Sequence, residues 1–394
     1  MKLSLESRRQ MSLFVNKIDK VKITKQTTSI LEELYAEIYT ANKASMKNKT
    51  TIVSGHIGLH NRMIKPKSFL YNTIPPIIRS HIETKMTNQI TYTIHLNGRL
   101  IKIHFIVEEH KPVMSKYNKY AENVKTWLHF LDNNAAIRCS RELDIYFYMT
   151  PFTKHLPITN TDVLGAMHVN TGVTTTCPTK SEILIYRKEE WFKVFIHETI
   201  HNFGLDFSDM NTSECTRILL QLFPVASEVN LFESYTECWA ELMNTMFCSF
   251  NHLDNKLDID IFINNTIMLL DIERAHSVFQ MVKVLDFMGL SYSDLYSKKK
   301  ESKELRDELY KENTNVLSYY VVKTILLMNY PLFLGWCKQR NDPMIQFTKT
   351  LANQKAYCDL IHKLHKNRAL LSAVKYYEDR KLDTNLKMTI CEMD

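Results

Sequence analysis

The period of the apolar positions changes several times along this chain, and each change marks an element. Residues 28–46 carry apolar side chains at helical spacing, and a Gly- and Lys-containing stretch then leads to a segment at 68–82. From Ile90 the period falls to two. The runs TYTIHL and LIKIHFIV alternate on either side of Asn97-Gly98-Arg99, which predicts an antiparallel hairpin because Asn-Gly accepts the positive φ of a type I′ turn. Residues 117–133 return to helical spacing. LDIYFYMT from Leu143 reads as a strand, and EILIYR from Glu182 as another, directly ahead of a helix that starts at Trp191. Beyond Phe250 the spacing is helical almost throughout, in long apolar segments at 259–290 and 315–336 around a charged stretch at 297–312 that suits a solvated helix or linker. The expected fold is α+β: a basic, mainly helical region at 1–85, a lobe with a small mixed sheet at 86–208, and a helical lobe at 209–394.

The helix that follows the Glu182 strand carries candidate chemistry. Within WFKVFIHETIHNFGLDFS, residues 191–208, His197 and His201 stand one turn apart on one face and can offer two imidazole nitrogens to one tetrahedral cation. Glu198 projects at a different angle, placed to take a proton from a metal-bound water. Glu198 is the only charge between Lys193 and Asp206. Burying two imidazoles and a carboxylate on so apolar a helix is costly without a shared partner, which weighs against a plain core helix. Glu189 and Glu190 favour a first turn, and Gly204 a left-handed stop. A third ligand has two sources. Asp206 is one. The other is FESYTECWAELMNTMF, residues 232–247, a helix with Glu233, Glu237 and Glu241 at successive i+4 positions, where stacked like charges call for a cation.

His197, Glu198 and His201, followed by Glu237-Cys-Trp-Ala-Glu241, resemble the gluzincin class of zinc metallopeptidases. In members with a Glu-x-x-Ala-Glu helix, such as the catalytic domain of anthrax lethal factor, the first Glu binds zinc and the second supports the site. By position, the resemblance implies one Zn2+ per chain held by His197, His201 and Glu237, with Glu241 behind them and Glu198 as catalytic base. It also implies a zincin-like lobe whose edge strand aligns an extended peptide over the metal; residues 181–187 are the candidate. The metzincin extension fits less well, since Gly204 matches but Phe207 stands where the third His would be. The context around these motifs is also similar to metallopeptidases encoded by giant DNA viruses. The resemblance spans about residues 142–246.

Composition adds limits. The chain has 394 residues, is 45% hydrophobic and carries a formal charge of +7. Residues 1–70 hold 13 Lys and Arg against 5 Asp and Glu, leaving 37 against 38 in the remainder, so the excess is N-terminal. That region reads as a solvated basic arm able to meet an acidic partner, and no specific nucleic-acid motif accompanies it. The eight cysteines contain no Cys-x-x-Cys and read as free thiols. With no signal-like N-terminus, they indicate a reducing, cytoplasmic setting rather than secretion. Residues 317–336 are interrupted by Lys323, Asn329 and Pro331, which predicts a buried helix and not a membrane span. His56 and His60 repeat the i, i+4 spacing but lack the Glu. Tyr235, His276, Tyr319 and Tyr320 are the side chains available to stabilise an oxyanion.

The expected function is zinc-dependent hydrolysis of a protein or peptide substrate. Two other readings stand beside it. One is a non-catalytic viral or scaffold interaction protein with a structural zinc, which would have no use for Glu198. The other is a different zinc hydrolase, an amidase or a deformylase-like enzyme with Cys177 as an upstream ligand.

Overall fold

A computed structural model of the chain describes residues 3–15, 20–58, 61–380 and 382–393. His60 lies outside them, and with it the second pair of histidines. The architecture is α+β, as the periodicity predicts, and the chain divides into two compact units. One is built from Glu33–Thr153 and Asn170–Leu205. The other is built from Lys154–Val169 and Asp206–Glu392, joined by N-terminal residues as far as Glu32.

The first unit holds a six-stranded mixed sheet. Its strands are β1 (Thr50–His56), β2 (Asn88–Leu96), β3 (Arg99–Val107), β4 (Glu142–Tyr148), β5 (Gly172–Val173) and β6 (Lys180–Ile185), in the spatial order β1-β2-β3-β4-β6-β5. The β2–β3 turn places Asn97 at φ 45° and Gly98 at φ 85°, as a type I′ turn requires. Strand β1 falls within the Gly- and Lys-containing stretch ahead of residue 68. Its side chains are mostly exposed, so no apolar alternation announces it, and pairing with β2 from Thr50↔Ile94 to His56↔Asn88 supplies the order.

Parallel pairing of β3 with β4 and of β4 with β6 stacks Ile103, Ile145 and Ile183 in one row and Phe105, Phe147 and Ile185 in another. Against the Phe row lies the helix α2 (Trp191–Asn202), with Trp191 edge-on to Phe147 at 5.2 Å and Phe195 at 5.5 Å. Each such aromatic contributes roughly 1.5–3 kcal/mol by burial. A second helix, α1 (Met114–Asp132), locks onto α2 through Trp127, whose indole N–H donates to the Thr199 hydroxyl at 2.7 Å.

Two expectations are corrected here. Strand β6, the candidate edge strand, is interior: β4 flanks it on one side, and β5 pairs with its Leu184 and Ile185 on the other. Its apolar residues on both faces fit that place, and the sheet edge passes to the two-residue β5. The cysteines are not all free, because Cys139 and Cys177 form a disulfide. The parallel register pairs Glu142 with Lys180, so Cys139 and Cys177 each sit three residues ahead of a paired position. No local spacing could show that, and it removes the free-thiol premise for a reducing compartment.

The second unit is mainly helical. Its long members are α3 (Leu231–Asn251) and α4 (Ile259–Phe287). The apolar segment beyond residue 315 is a π turn at Leu317–Val322 running into a helix, with a bend of 91° at Asn329 before Tyr330–Arg340. No single helix among the described residues is long and apolar enough to cross a membrane. The charged stretch contains the helix Lys300–Leu309. Residues 385–391 lack regular structure and are nevertheless buried.

Candidate metal centre

Helix α2 is buried at all twelve of its positions. It ends in the motif that Gly204 predicts: Gly204 takes φ 68°, its N–H reaches the His201 carbonyl at 2.9 Å, and the Leu205 N–H reaches that of Ile200 at 2.9 Å. Asn202, fully buried, fastens this end to the sheet. Its side-chain oxygen accepts from Ser140 and Ser181, and its amide donates to Thr174 at 2.9 Å. The disulfide packs on the same cap, since a Cβ on Gly204 would lie 3.2 Å from that of Cys177.

On this anchored helix the two imidazoles converge. The Nε2 atoms of His197 and His201 are 3.1 Å apart. Two nitrogens bound tetrahedrally at ~2.0–2.1 Å stand about 3.3 Å apart, so the spacing fits one shared zinc ion. His197, Glu198 and His201 are 6%, 7% and 8% exposed, which leaves a narrow opening to solvent. Gly172, at the sheet edge in β5, makes room for Glu198: a Cβ there would stand 2.8 Å from Glu198 Oε1 and 2.8 Å from Val194 Cγ1. The sequence offered no signal for Gly172 or Asn202, because both matter through contacts set by the fold.

The three glutamates of α3 differ in surroundings. Glu233 is half-buried, and its carboxylate accepts from the Tyr319 hydroxyl at 3.0 Å and from the Asn315 amide at 3.3 Å. Glu237 is buried. Glu241 is fully buried and faces the ammonium of Lys323 at 3.8 Å. The cation that the ladder calls for is thus, at Glu241, a lysine from the interrupted apolar segment.

The remaining candidates separate by environment. Tyr319 bonds to Glu233, whereas the Tyr235 and Tyr320 hydroxyls donate to the carbonyls of Ile345 and Leu386 at 2.9 Å inside the core. His276 is fully buried and bonds to Gln280, and burial holds its imidazole well below the usual range, toward the neutral form. Asp206 is fully buried and accepts from Ser208. Phe207 packs 4.3 Å from Phe347, a core role that explains an aromatic where a metzincin has His. No protein-family model, curated protein or solved structure matches the chain.

Proposed function

We propose that the chain is a zinc-dependent metallopeptidase whose metal is held by His197, His201 and a carboxylate of α3. The observation that carries this reading is the 3.1 Å approach of the two Nε2 atoms beside Glu198 on one buried helix. Glu237 is supported as third ligand by the resemblance to gluzincins, and Glu233 stands one turn ahead of it on the same helix. When bound, zinc lowers the pKa of its water toward ~7 and polarises the substrate carbonyl.

The chain's own residues supply the rest. Glu198 takes the proton of the attacking water and passes it to the leaving amine, a role typically worth on the order of 10² to 10⁴ in rate. Strand β5, at the sheet edge beside Glu198, offers main-chain groups to an extended peptide, which aligns it with little dependence on side chains. A structural zinc site would not need Glu198 or the space that Gly172 leaves for it. Glu198→Gln provides the test, with profiled peptide libraries as substrate. The variant is expected to bind as much zinc as the parent and lose hydrolysis; equal turnover of the two proteins would remove Glu198 from its role.

A further inference from the structure

The six-stranded sheet has two edges of different build. At one stands the two-residue β5. At the other, β1 runs for seven residues and pairs on one side only, with β2. Among the described residues, nothing but β2 bonds to the main chain of residues 51–55, so their outward N–H and C=O groups form an open row.

An open row of this kind is a template for another strand, and folded proteins ordinarily blunt it with a charge, a proline, a bulge or a covering element. Strand β1 has none of these. Its sequence, TTIVSGH, contains no Lys, Arg, Asp, Glu or Pro. Its register against β2 runs unbroken from Thr50↔Ile94 to His56↔Asn88, so no bulge turns the edge away. Thr51, Ile52, Val53 and Ser54 are all exposed, Ile52 at 46% and Val53 at 65%. Adjacent strand positions point to opposite faces, so these two aliphatic side chains stand in solvent on both sides of the edge. The strand is nevertheless fixed at its ends. The Lys125 ammonium of α1 donates to the Thr50 hydroxyl at 3.0 Å, and the Asn61 amide to the His56 carbonyl at 2.8 Å.

Charge selects the occupant. The strand is neutral, and the exposed Lys47 and Lys49 stand only ahead of its first residue. An acidic partner strand would find no cation along residues 50–55, and a basic one would meet the two lysines at one end. A parallel copy of β1 would set these lysines beside their own counterparts. An antiparallel copy places them at opposite ends of the pair and brings Ile52 and Val53 together at its centre, where β-branched cross-strand neighbours suit a sheet.

We propose that β1 is a dimerisation edge: a second copy of this chain adds its own β1 antiparallel, about a twofold axis perpendicular to the sheet, and the two sheets continue into one another. Main-chain hydrogen bonds make the contact, and Ile52 and Val53 cover it on the two faces. The inference does not depend on the metal centre.

The test follows the mass of the full-length protein by light scattering over a dilution series, with amide hydrogen exchange measured at both ends of that series. The parent is expected to pass from one chain mass to two as concentration rises, with exchange at residues 51–55 slowed in the dimer alone. Val53→Lys brings two ammonium groups close to the axis. At so exposed a position it should leave the melting temperature unchanged, while the midpoint of dimerisation moves to a concentration at least about ten-fold higher. Val53→Thr keeps a β-branched, uncharged side chain and should dimerise as the parent does. A parent that stays at one chain mass up to its solubility limit, or a dimer that Val53→Lys leaves intact, would overturn the proposal. Should Val53→Lys fail to fold, the exchange data on the parent decide: a dimer whose slowed amides lie outside β1 overturns it equally.

Discussion

Helices α2 and α3 both present acidic or ligand-capable side chains at i+4 spacing, yet the sequence speaks far more clearly for one than for the other. In α2 the decisive relation lies within the helix: one turn sets His197 beside His201, and their Nε2 atoms meet at 3.1 Å. In α3 the same geometry makes Glu233, Glu237 and Glu241 equivalent. What distinguishes them comes from residues some eighty positions later, Tyr319 and Asn315 at Glu233 and Lys323 at Glu241. Spacing within an element is local; partnership is tertiary.

The sharpest way to break this comparison is to remove the local relation. His197→Ala or His201→Ala should abolish stoichiometric zinc in the purified protein, because on the proposed reading each takes away a ligand and not merely a supporting residue, whose loss already weakens metal binding ~10- to 100-fold. Elemental analysis after dialysis against a mild chelator measures it. Full metal retention by both variants would sink the centre.

A smaller effect is expected from Gly172→Ala. Its new Cβ would meet Glu198 Oε1 and Val194 Cγ1 at 2.8 Å, so one of them must shift. Displacing a catalytic group by about an ångström can cost on the order of 10² in rate, and zinc content should be unchanged. Unaltered turnover of any peptide that the parent cleaves would show that Glu198 has room to spare.

The α3 ladder calls for a graded result. If Glu233 is the ligand, Glu233→Ala should weaken zinc binding by more than the ~10- to 100-fold of a supporting residue, and Glu237→Ala by less. The reverse order would select Glu237, as the resemblance does. Glu241→Ala should retain the metal but unfold at lower urea, since it strands the buried Lys323 charge, a loss on the order of a few kcal/mol. Competitive metal titration and urea midpoints on the same three variants separate these outcomes.

Much of the fold was legible wherever a local pattern had a local cause: the Asn97-Gly98 turn, the Gly204 stop and the apolar strands β4 and β6. The misses share another origin. Strand β1 shows few inward-facing apolar residues because most of its side chains are exposed, so its order comes from β2. The edge was misplaced because a two-residue strand leaves no period to read. The Cys139–Cys177 bond follows a 38-residue register offset between parallel neighbours, and sequence order does not reveal which strands are neighbours. At the centre itself, the His pair and Glu198 stood out as a motif, while Gly172, Asn202 and Tyr319 gain their roles only from where the fold puts them.

The smallest expected effect tests the tertiary side of the comparison through pH. Glu273 on α4 is fully buried, and Oε1 accepts from the Thr389 hydroxyl at 2.7 Å and from the N–H groups of Ile390 and Cys391 at 2.9 and 2.8 Å. Burial is the larger influence, followed by the charge of nearby Cys391, and its carboxyl is pushed up to about 8 despite the hydrogen bonds that favour ionisation. A carboxyl that holds its proton more tightly in the folded chain contributes stability fully present below its unfolded value near 4.5, and that contribution is lost as pH rises through about 8. In this window the slope can reach at most about 1.4 kcal/mol per pH unit. Glu273→Gln keeps an acceptor oxygen for the two N–H groups but cannot ionise, so its urea midpoint should fall less steeply than that of the parent between pH 5.5 and 8.5. Parallel slopes for the two proteins would mean that Glu273 does not titrate in this range, and that the C-terminal segment is held the same way at every pH tested.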